Sequence, residues 1–280
     1  MTTTLRPEGP ETPTAAGGRT RRWRILTNGR QIGSLRTTAV PVGGQLWGEI
    51  AELEITEGRG RGRGTFGALA AEEVLRGWGC TRVDVRIPDS APTARALAGA
   101  LGYTERSLAL AKRLTTAPAL PAGVSARPFE EDGLRAWLDR SSADYARALV
   151  RSGLTEEQTR ARVGCDQRLL PEGADTPGNA LASLYGPDGG PQPYGSIWVD
   201  LHLTDLPDGE PLAWVMVVEV SPAHRGRGHG RTLMLLAERA CLAAGVRNLG
   251  LNVFADNEVA IGLYASLGYG ITNLLYGKQL

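Results

Sequence analysis

The sequence is short of several things whose absence narrows its function. It holds three cysteines, Cys80, Cys165 and Cys241, far apart and without any Cys-x-x-Cys or Cys/His spacing. That argues against a disulfide framework and against a metal site, and it leaves reduced thiols in a cytoplasmic protein as the expectation. An excess of one charge is missing too, since 31 Lys and Arg face 30 Asp and Glu, for a formal net charge of +1. A general nucleic-acid binder draws most of its affinity from phosphate neutralisation and shows a basic surplus, so no nucleic-acid partner is expected. No apolar run approaches the roughly 20 residues that cross a bilayer, so no membrane partner is expected either. The opening MTTTLRPEGPETPTAAGGRTRR has no apolar stretch of the signal-peptide kind. Its Thr, Pro, Gly and Ala content predicts a disordered tail over residues 1–20.

What the chain does have is 280 residues, of which 42% are hydrophobic, enough for two modest cores. It also has a conspicuous run, GRGRGRG at 58–64, continuing into TFGALAAEEVL. Such a run suits either a disordered Arg–Gly segment or a glycine-rich turn opening a helix. A second occurrence, HRGRGHGR at 224–231, changes the question. Sliding 59–114 against 225–280 without gaps brings Arg59-Gly60-Arg61-Gly62 onto Arg225-Gly226-Arg227-Gly228 and Gly64 onto Gly230. Gly79 meets Gly245, Leu101-Gly102-Tyr103 meets Leu267-Gly268-Tyr269, and Lys112 and Leu114 meet Lys278 and Leu280. About 17 of 56 positions are identical, so the chain carries two copies of one unit.

Each copy reads strand, glycine-rich turn, helix, strand, short helix, strand, which is an α/β pattern. The strands before the turns are IAELEIT (50–56) and AWVMVVEV (213–220), and the helix of the second copy repeats Leu233, Leu236, Ala237, Ala240, Cys241 and Ala244 before Gly245 stops it. The Pro/Ala stretch at 115–122 reads as a linker between domains at 21–114 and 123–280. The second copy also has a strand candidate, GVSARPF, and a predicted helix with Leu134, Trp137, Leu138, Tyr145 and Leu149 on one face, stopped at Gly153. A further helix opens at Thr155 with Gln158 at capping-box spacing. The first copy lacks this helical pair. Alternate glycines at a helix start let backbone N–H groups converge on an anion, and Arg225 and Arg227 add charge; a plain tight turn with solvated arginines is the other reading.

VVEVSPAHRGRGHGRTLM resembles the acetyl-CoA signature of the GNAT superfamily of acyl-CoA-dependent N-acyltransferases, Gln/Arg-x-x-Gly-x-Gly/Ala, with Arg225, Gly228 and Gly230 at its three positions. LNVFADNEVAIGLYASLGYGITN resembles that family's second signature through Asn257, Ala260, Tyr264, Leu267, Gly268 and Tyr269. The layout is similar to the tandem-domain branch of the family, of which mycothiol synthase is one type. The resemblance implies two GNAT-like domains, each a mixed central sheet flanked by helices, the N-terminal one truncated.

It further implies acetyl-CoA as co-substrate, held by backbone groups of Val218, Glu219 and Val220 and by the turn Arg225, Gly226, Arg227, Gly228, His229, Gly230 and Arg231. Tyr264 matches the general acid that protonates the departing thiolate, and it also fits a core position between Ala260 and Leu267. Asn257 matches a cofactor-contacting Asn and equally suits a helix N-cap, with Asp256 competing. Glu219 is the base candidate nearest the cofactor strand; Asp200, His202 and a water relay stay open, and Asn252 occupies the site of the carboxylate that some relatives use. In the first copy Tyr264 and Asn257 align with Ala98 and Ala91, so a degenerate half that still holds a second CoA is expected. The implied reaction is direct acyl transfer to the primary amine of a small molecule or peptide. A non-catalytic acyl-CoA sensor and an Arg–Gly nucleic-acid binder are the rival readings.

Overall fold

A computed structural model describes residues 3–57, 60, 62–187, 190 and 192–280. Gly58, Arg59 and Arg61 of the first Arg–Gly run lie outside the described residues. In chain order the elements are β1 (Thr3–Pro7), β2 (Thr12–Pro13), β3 (Arg19–Thr27), β4 (Arg30–Val42), β5 (Gln45–Ile55), α1 (Arg63–Gly77), β6 (Cys80–Pro88), α2 (Pro92–Ala100) and β7 (Thr104–Arg113). There follow β8 (Ser125–Arg127), α3 (Glu131–Arg151), α4 (Glu156–Asp166), β9 (Asn179–Tyr185), β10 (Gly195–Asp205) and β11 (Pro211–Val220). The chain ends with α5 (His229–Ala243), β12 (Asn248–Phe254), α6 (Glu258–Ser266) and β13 (Gly270–Gln279).

The chain forms two compact units, and they cut across the sequence copies. Unit 1 comprises residues 1–107, 150–166 and 273–280; unit 2 comprises 108–149 and 167–272. In unit 1 the strands run β1-β3-β4-β5-β6-β13, with β2 on β3 and only β5–β6 parallel. In unit 2 the order is β8-β9-β10-β11-β12, parallel only between β11 and β12, with the 108–113 half of β7 beside β12. Each copy therefore gives its last strand to the other copy's unit. Leu108, Leu110 and Leu114 are buried in the core of unit 2, and Leu274 and Tyr276 in that of unit 1.

The buried charges follow the same exchange. Glu72 of α1 and Glu238 of α5 occupy matching positions, and both are almost wholly buried. Lys278 Nζ donates to Glu72 Oε2 at 2.9 Å, and Lys112 Nζ donates to Glu238 Oε1 at 2.7 Å. Neither lysine comes from the copy of its partner glutamate.

Two expectations are revised. The opening residues are not a free tail: Thr3–Pro7 pairs antiparallel with Trp23–Thr27, and Leu5 packs against the core of unit 1. The backbone ladder orders a segment whose side chains gave no strand signal. The helical pair is also divided. α3 puts Leu134, Trp137 and Leu138 into a cluster of unit 2, whereas α4 belongs to unit 1, where Ala161 lies against Gly43 and Gln158 Nε2 donates to Gln279 Oε1 at 2.8 Å. The capping box itself forms: Thr155 N donates to Gln158 Oε1 at 3.2 Å and Gln158 N to Thr155 Oγ1 at 3.1 Å.

Candidate active site

The site begins where two parallel strands of unit 2 part. β11 and β12 are in register from Leu212↔Asn248 to Val215↔Leu251 and no further, so from Met216 onward the β12-side backbone of β11 has no strand partner among the described residues. A β-bulge sits at the same place. Across β10, Trp198 faces Val217 and Val199 faces Val215, which leaves Met216 as the extra residue. The bulge sorts the side chains: Ala213, Val215, Val218 and Val220 pack into the core that holds α5. Met216 and Val217, consecutive in sequence, both pack on the α3 side with Trp137. Strict alternation from Val215 would send Glu219 into the α5 core; one extra residue turns it to the α3 side. There Trp137 Nε1 donates to Glu219 Oε2 at 2.8 Å.

The glycine-rich turn stands at the end of this strand. Gly226 and Gly228 have φ of 73° and 83°, the left-handed region, and Gly228 is the N-cap of α5 with no side-chain cap. The free first-turn N–H groups of α5 and the positive end of its dipole therefore face outward beside open space, the requirement for an anion cradle. Arg225 Nε donates to the carbonyl of Val220 at 3.2 Å and ties the turn to the strand end. Arg227 is exposed. Arg231 points elsewhere, donating through Nη2 to Ser266 Oγ of α6 at 2.6 Å. His229 packs on Tyr194, ring centroids 4.6 Å apart, and His224 stacks on the same tyrosine at 4.2 Å, with the two imidazoles edge to face at 6.1 Å. Burial, with smaller contributions from the neighbouring His224 and Arg227, lowers the pKa of His229.

α6 packs beside the start of α5, with Leu263 against Gly230. Tyr264 on this helix is 5% exposed, and burial pushes its phenol up to about 12. Its hydroxyl is not among the enclosed, unpartnered polar atoms, which include the hydroxyls of Tyr103 and Tyr269. Tyr264 thus has a core body and a hydroxyl outside the enclosed set, a placement compatible with either reading the sequence left open. Asn257 is the N-cap of α6, its Oδ1 accepting from Ala260 N at 3.2 Å. The other base candidates lie away from this region. Asp200 faces Trp214, five positions along β11 from Glu219, and accepts from the backbone N–H of His202 at 2.9 Å. Trp137, the bulge at Met216 and the Tyr194–His224 stack were not singled out in sequence as parts of a site, because each depends on a partner distant along the chain.

The first copy keeps the frame and not the side chains. β5 and β6 part after Glu49↔Asp84, the position matching Val215, and Gly60 and Gly62 have φ of 77° and 72°. Ala98 stands in place of Tyr264, and α2 starts with an uncapped Ala91 and Pro92.

Comparison with known proteins agrees with this geometry. The model described as Acetyltransferase (GNAT) family matches residues 192–269, which lie within unit 2 and span the bulged strand, the turn and Tyr264. The chain is 30% identical to a mycothiol acetyltransferase of Cellulomonas flavigena, over 91% of this chain and 74% of that protein. It is 32% identical to a mycothiol acetyltransferase of Frankia alni, over 82% of this chain and 70% of that protein. A solved GCN5-related N-acetyltransferase from Sphaerobacter thermophilus superposes with a TM-score of 0.55 at 22% identity, covering 92% of this chain and 80% of that one, a likeness of fold alone. With relatives of that identity matched over most of both chains, this chain belongs to the GNAT family of acetyltransferases.

Proposed function

We propose that unit 2 transfers an acetyl group from acetyl-CoA directly to the primary amine of a small molecule. The observation that carries this reading is the coincidence of three features on one strand end: the parting of β11 and β12, the bulge at Met216, and the left-handed Gly226–Gly228 turn. The β12-side edge of the backbone from Met216 to Val220, without a strand partner among the described residues, suits the amide-bearing arm of the cofactor and a thioester carbonyl polarised by main-chain N–H. The first-turn N–H groups of α5, with Arg227, suit its pyrophosphate. Tyr264 stays protonated at neutral pH and serves as proton donor to the departing thiolate.

Glu219, fixed by the Trp137 indole on the α3 side, is the carboxylate best placed to take the proton of an amine entering from that side. No acyl carrier is built into this unit, since its cysteine, Cys241, is fully buried with its thiol pushed up to about 12. The names of the relatives make the mycothiol acetyltransferase reaction the first to assay. The retained turn of the first copy suits a second CoA without chemistry. The test is the Tyr264→Phe variant, with turnover expected to fall by about 10²-fold or more while CoA affinity by calorimetry is unchanged. Unchanged kcat would remove Tyr264 from the mechanism, and CoA binding without turnover across an amine panel by the unaltered chain would favour a sensor.

A further inference from the structure

Unit 1 buries two guanidinium groups against one carboxylate. Arg82 of β6 is 1% exposed and Arg106 of β7 is 6% exposed. Arg82 donates through Nη2 to Asp84 Oδ1, and Arg106 donates through Nη1 to the carbonyl of Ser152. Among the described residues Asp84 is the only carboxylate within ion-pair distance of either. Arg82 Nε, Arg82 Nη1 and Arg106 Nε are enclosed without a hydrogen-bond partner among those residues. So is the indole Nε1 of Trp47, over whose ring the Arg82 guanidinium lies at 4.7 Å. The groups converge over Gly277 of β13, where a Cβ would stand 2.2 Å from Arg106 Nε, 2.7 Å from Arg82 Nη2 and 2.7 Å from Asp84 Oδ1.

An enclosed positive charge without a counter-charge is among the costliest arrangements in a protein interior, and each unmade N–H bond adds to it. Deprotonation does not relieve it. Burial and the charge of Arg82 lower Arg106 only to about 10, which leaves its guanidinium cationic at neutral pH. Nor does the shared fold demand these arginines, since the matching positions of the second copy are Asn248 and Thr272. Guanidinium forks match planar and tetrahedral oxyanions, and indole N–H adds a further donor.

We propose that Arg82, Arg106 and Trp47 form a binding site in unit 1 for a small oxyanion, which carries the charge that Asp84 leaves uncompensated. The site is separate from the cradle at Gly226–Gly228 and does not depend on the catalytic reading. Thermal unfolding of the full chain at fixed ionic strength, with chloride exchanged for phosphate, sulfate or acetate at millimolar levels, tests it. Those levels lie below the range where general salt exclusion acts. The expected result is a saturable rise in Tm of several degrees with at least one oxyanion. It should persist in Arg227→Ala and vanish in Arg106→Met, which in chloride should be at least as stable as the parent chain. Acetate acting as well as phosphate would point to a carboxylate-bearing ligand, and phosphate or sulfate acting alone to an inorganic one; either supports the site. Equal Tm in all salts, a response that survives Arg106→Met, or one lost in Arg227→Ala overturns it. Should Arg106→Met not fold, selenate soaked into crystals of the parent chain decides: anomalous density between Arg82 and Arg106 supports the site, and its absence there overturns it.

Discussion

The exchange of last strands makes a prediction that an unexchanged fold contradicts. In the structure Lys112 bonds Glu238 and Lys278 bonds Glu72, each glutamate being buried and each lysine about a quarter exposed. If each copy kept its own strand, the pairs would be Lys112 with Glu72 and Lys278 with Glu238. Removing Lys112 strands the buried Glu238 carboxylate, whereas Glu72 keeps Arg76 at 3.7 Å when Lys278 is removed. Breaking such a pair costs about 3–5 kcal/mol, and the partial exposure of the lysines favours the lower end, so Lys112→Met should cost about 3 kcal/mol. Glu238→Gln in the same chain removes the stranded charge and should restore much of that loss, a coupling of about 2 kcal/mol. The crossed cycle, Lys112→Met with Glu72→Gln, should be additive. Urea unfolding gives the totals, and native-state hydrogen exchange of α1 and α5 peptides shows which unit is weakened. Lys112→Met should loosen α5, and Lys278→Met should loosen α1. Coupling of Lys112 with Glu72 in place of Glu238 would refute the exchange outright.

Deleting Met216 removes the bulge and restores strict alternation, with Val217 and Glu219 still on the α3 side and Val218 and Val220 still in the α5 core, so the cost in stability should be moderate, about 1–3 kcal/mol by denaturation. Turnover should nonetheless fall sharply, where Met216→Val, which keeps the residue count and the bulge, should cost far less; equal turnover in the two variants would discredit the bulge argument. Gly228→Ala meets no neighbour within 4 Å, so its cost comes from φ of 83° alone, about 1–2 kcal/mol by denaturation. Its KM for acetyl-CoA should rise, and an unchanged KM would show that the turn does not touch the cofactor. The Tyr264 phenol is raised from 10 to about 12, so the stability contributed by its neutral form is fully present below pH 10 and lost as pH rises through 12. The kcat profile should show no basic limb from Tyr264 below pH 10. A limb near pH 8–9 that disappears in Tyr264→Phe would contradict the shift.

How much of this was legible in sequence depends on whether a feature leaves a local mark. The repeat did, through its glycines, and so did the capping box at Thr155 and the strand–turn–helix around Gly228. The exchange left none. Leu108, Lys112 and Leu114 match Leu274, Lys278 and Leu280 residue for residue, so either strand satisfies either slot and no pattern distinguishes them. The bulge is silent for a related reason. Val215 to Val218 are all apolar, so there is no alternation for an extra residue to interrupt. The strand at 3–7 has a single large apolar side chain, Leu5, and owes its order mainly to backbone pairing with β3. Glu219 was picked out for its place near the cofactor strand, yet its orientation depends on Met216 and its anchor on Trp137, more than eighty positions away.

The exchange also accounts for the state of the first copy. Its Ala98 and Ala91 stand where the second copy has Tyr264, the proposed proton donor, and the cap Asn257, while Leu108, Leu110, Lys112 and Leu114 hold their places. Those four serve the core and the buried charge of the other unit. Burying each leucine contributes about 1.5–3 kcal/mol, so the strand as a whole is worth a large share of the roughly 5–15 kcal/mol that stabilises a typical domain. Loss of chemistry in the first copy is then compatible with strict demands on its last strand. The division predicts that substitutions near Ala91 and Ala98 leave unit 2 stable, whereas Leu110→Ala, though it lies in the first copy, should cost about 2–5 kcal/mol in the stability of α5 and depress turnover. An effect of Leu110→Ala confined to α1 would show that the first copy keeps its strand for itself.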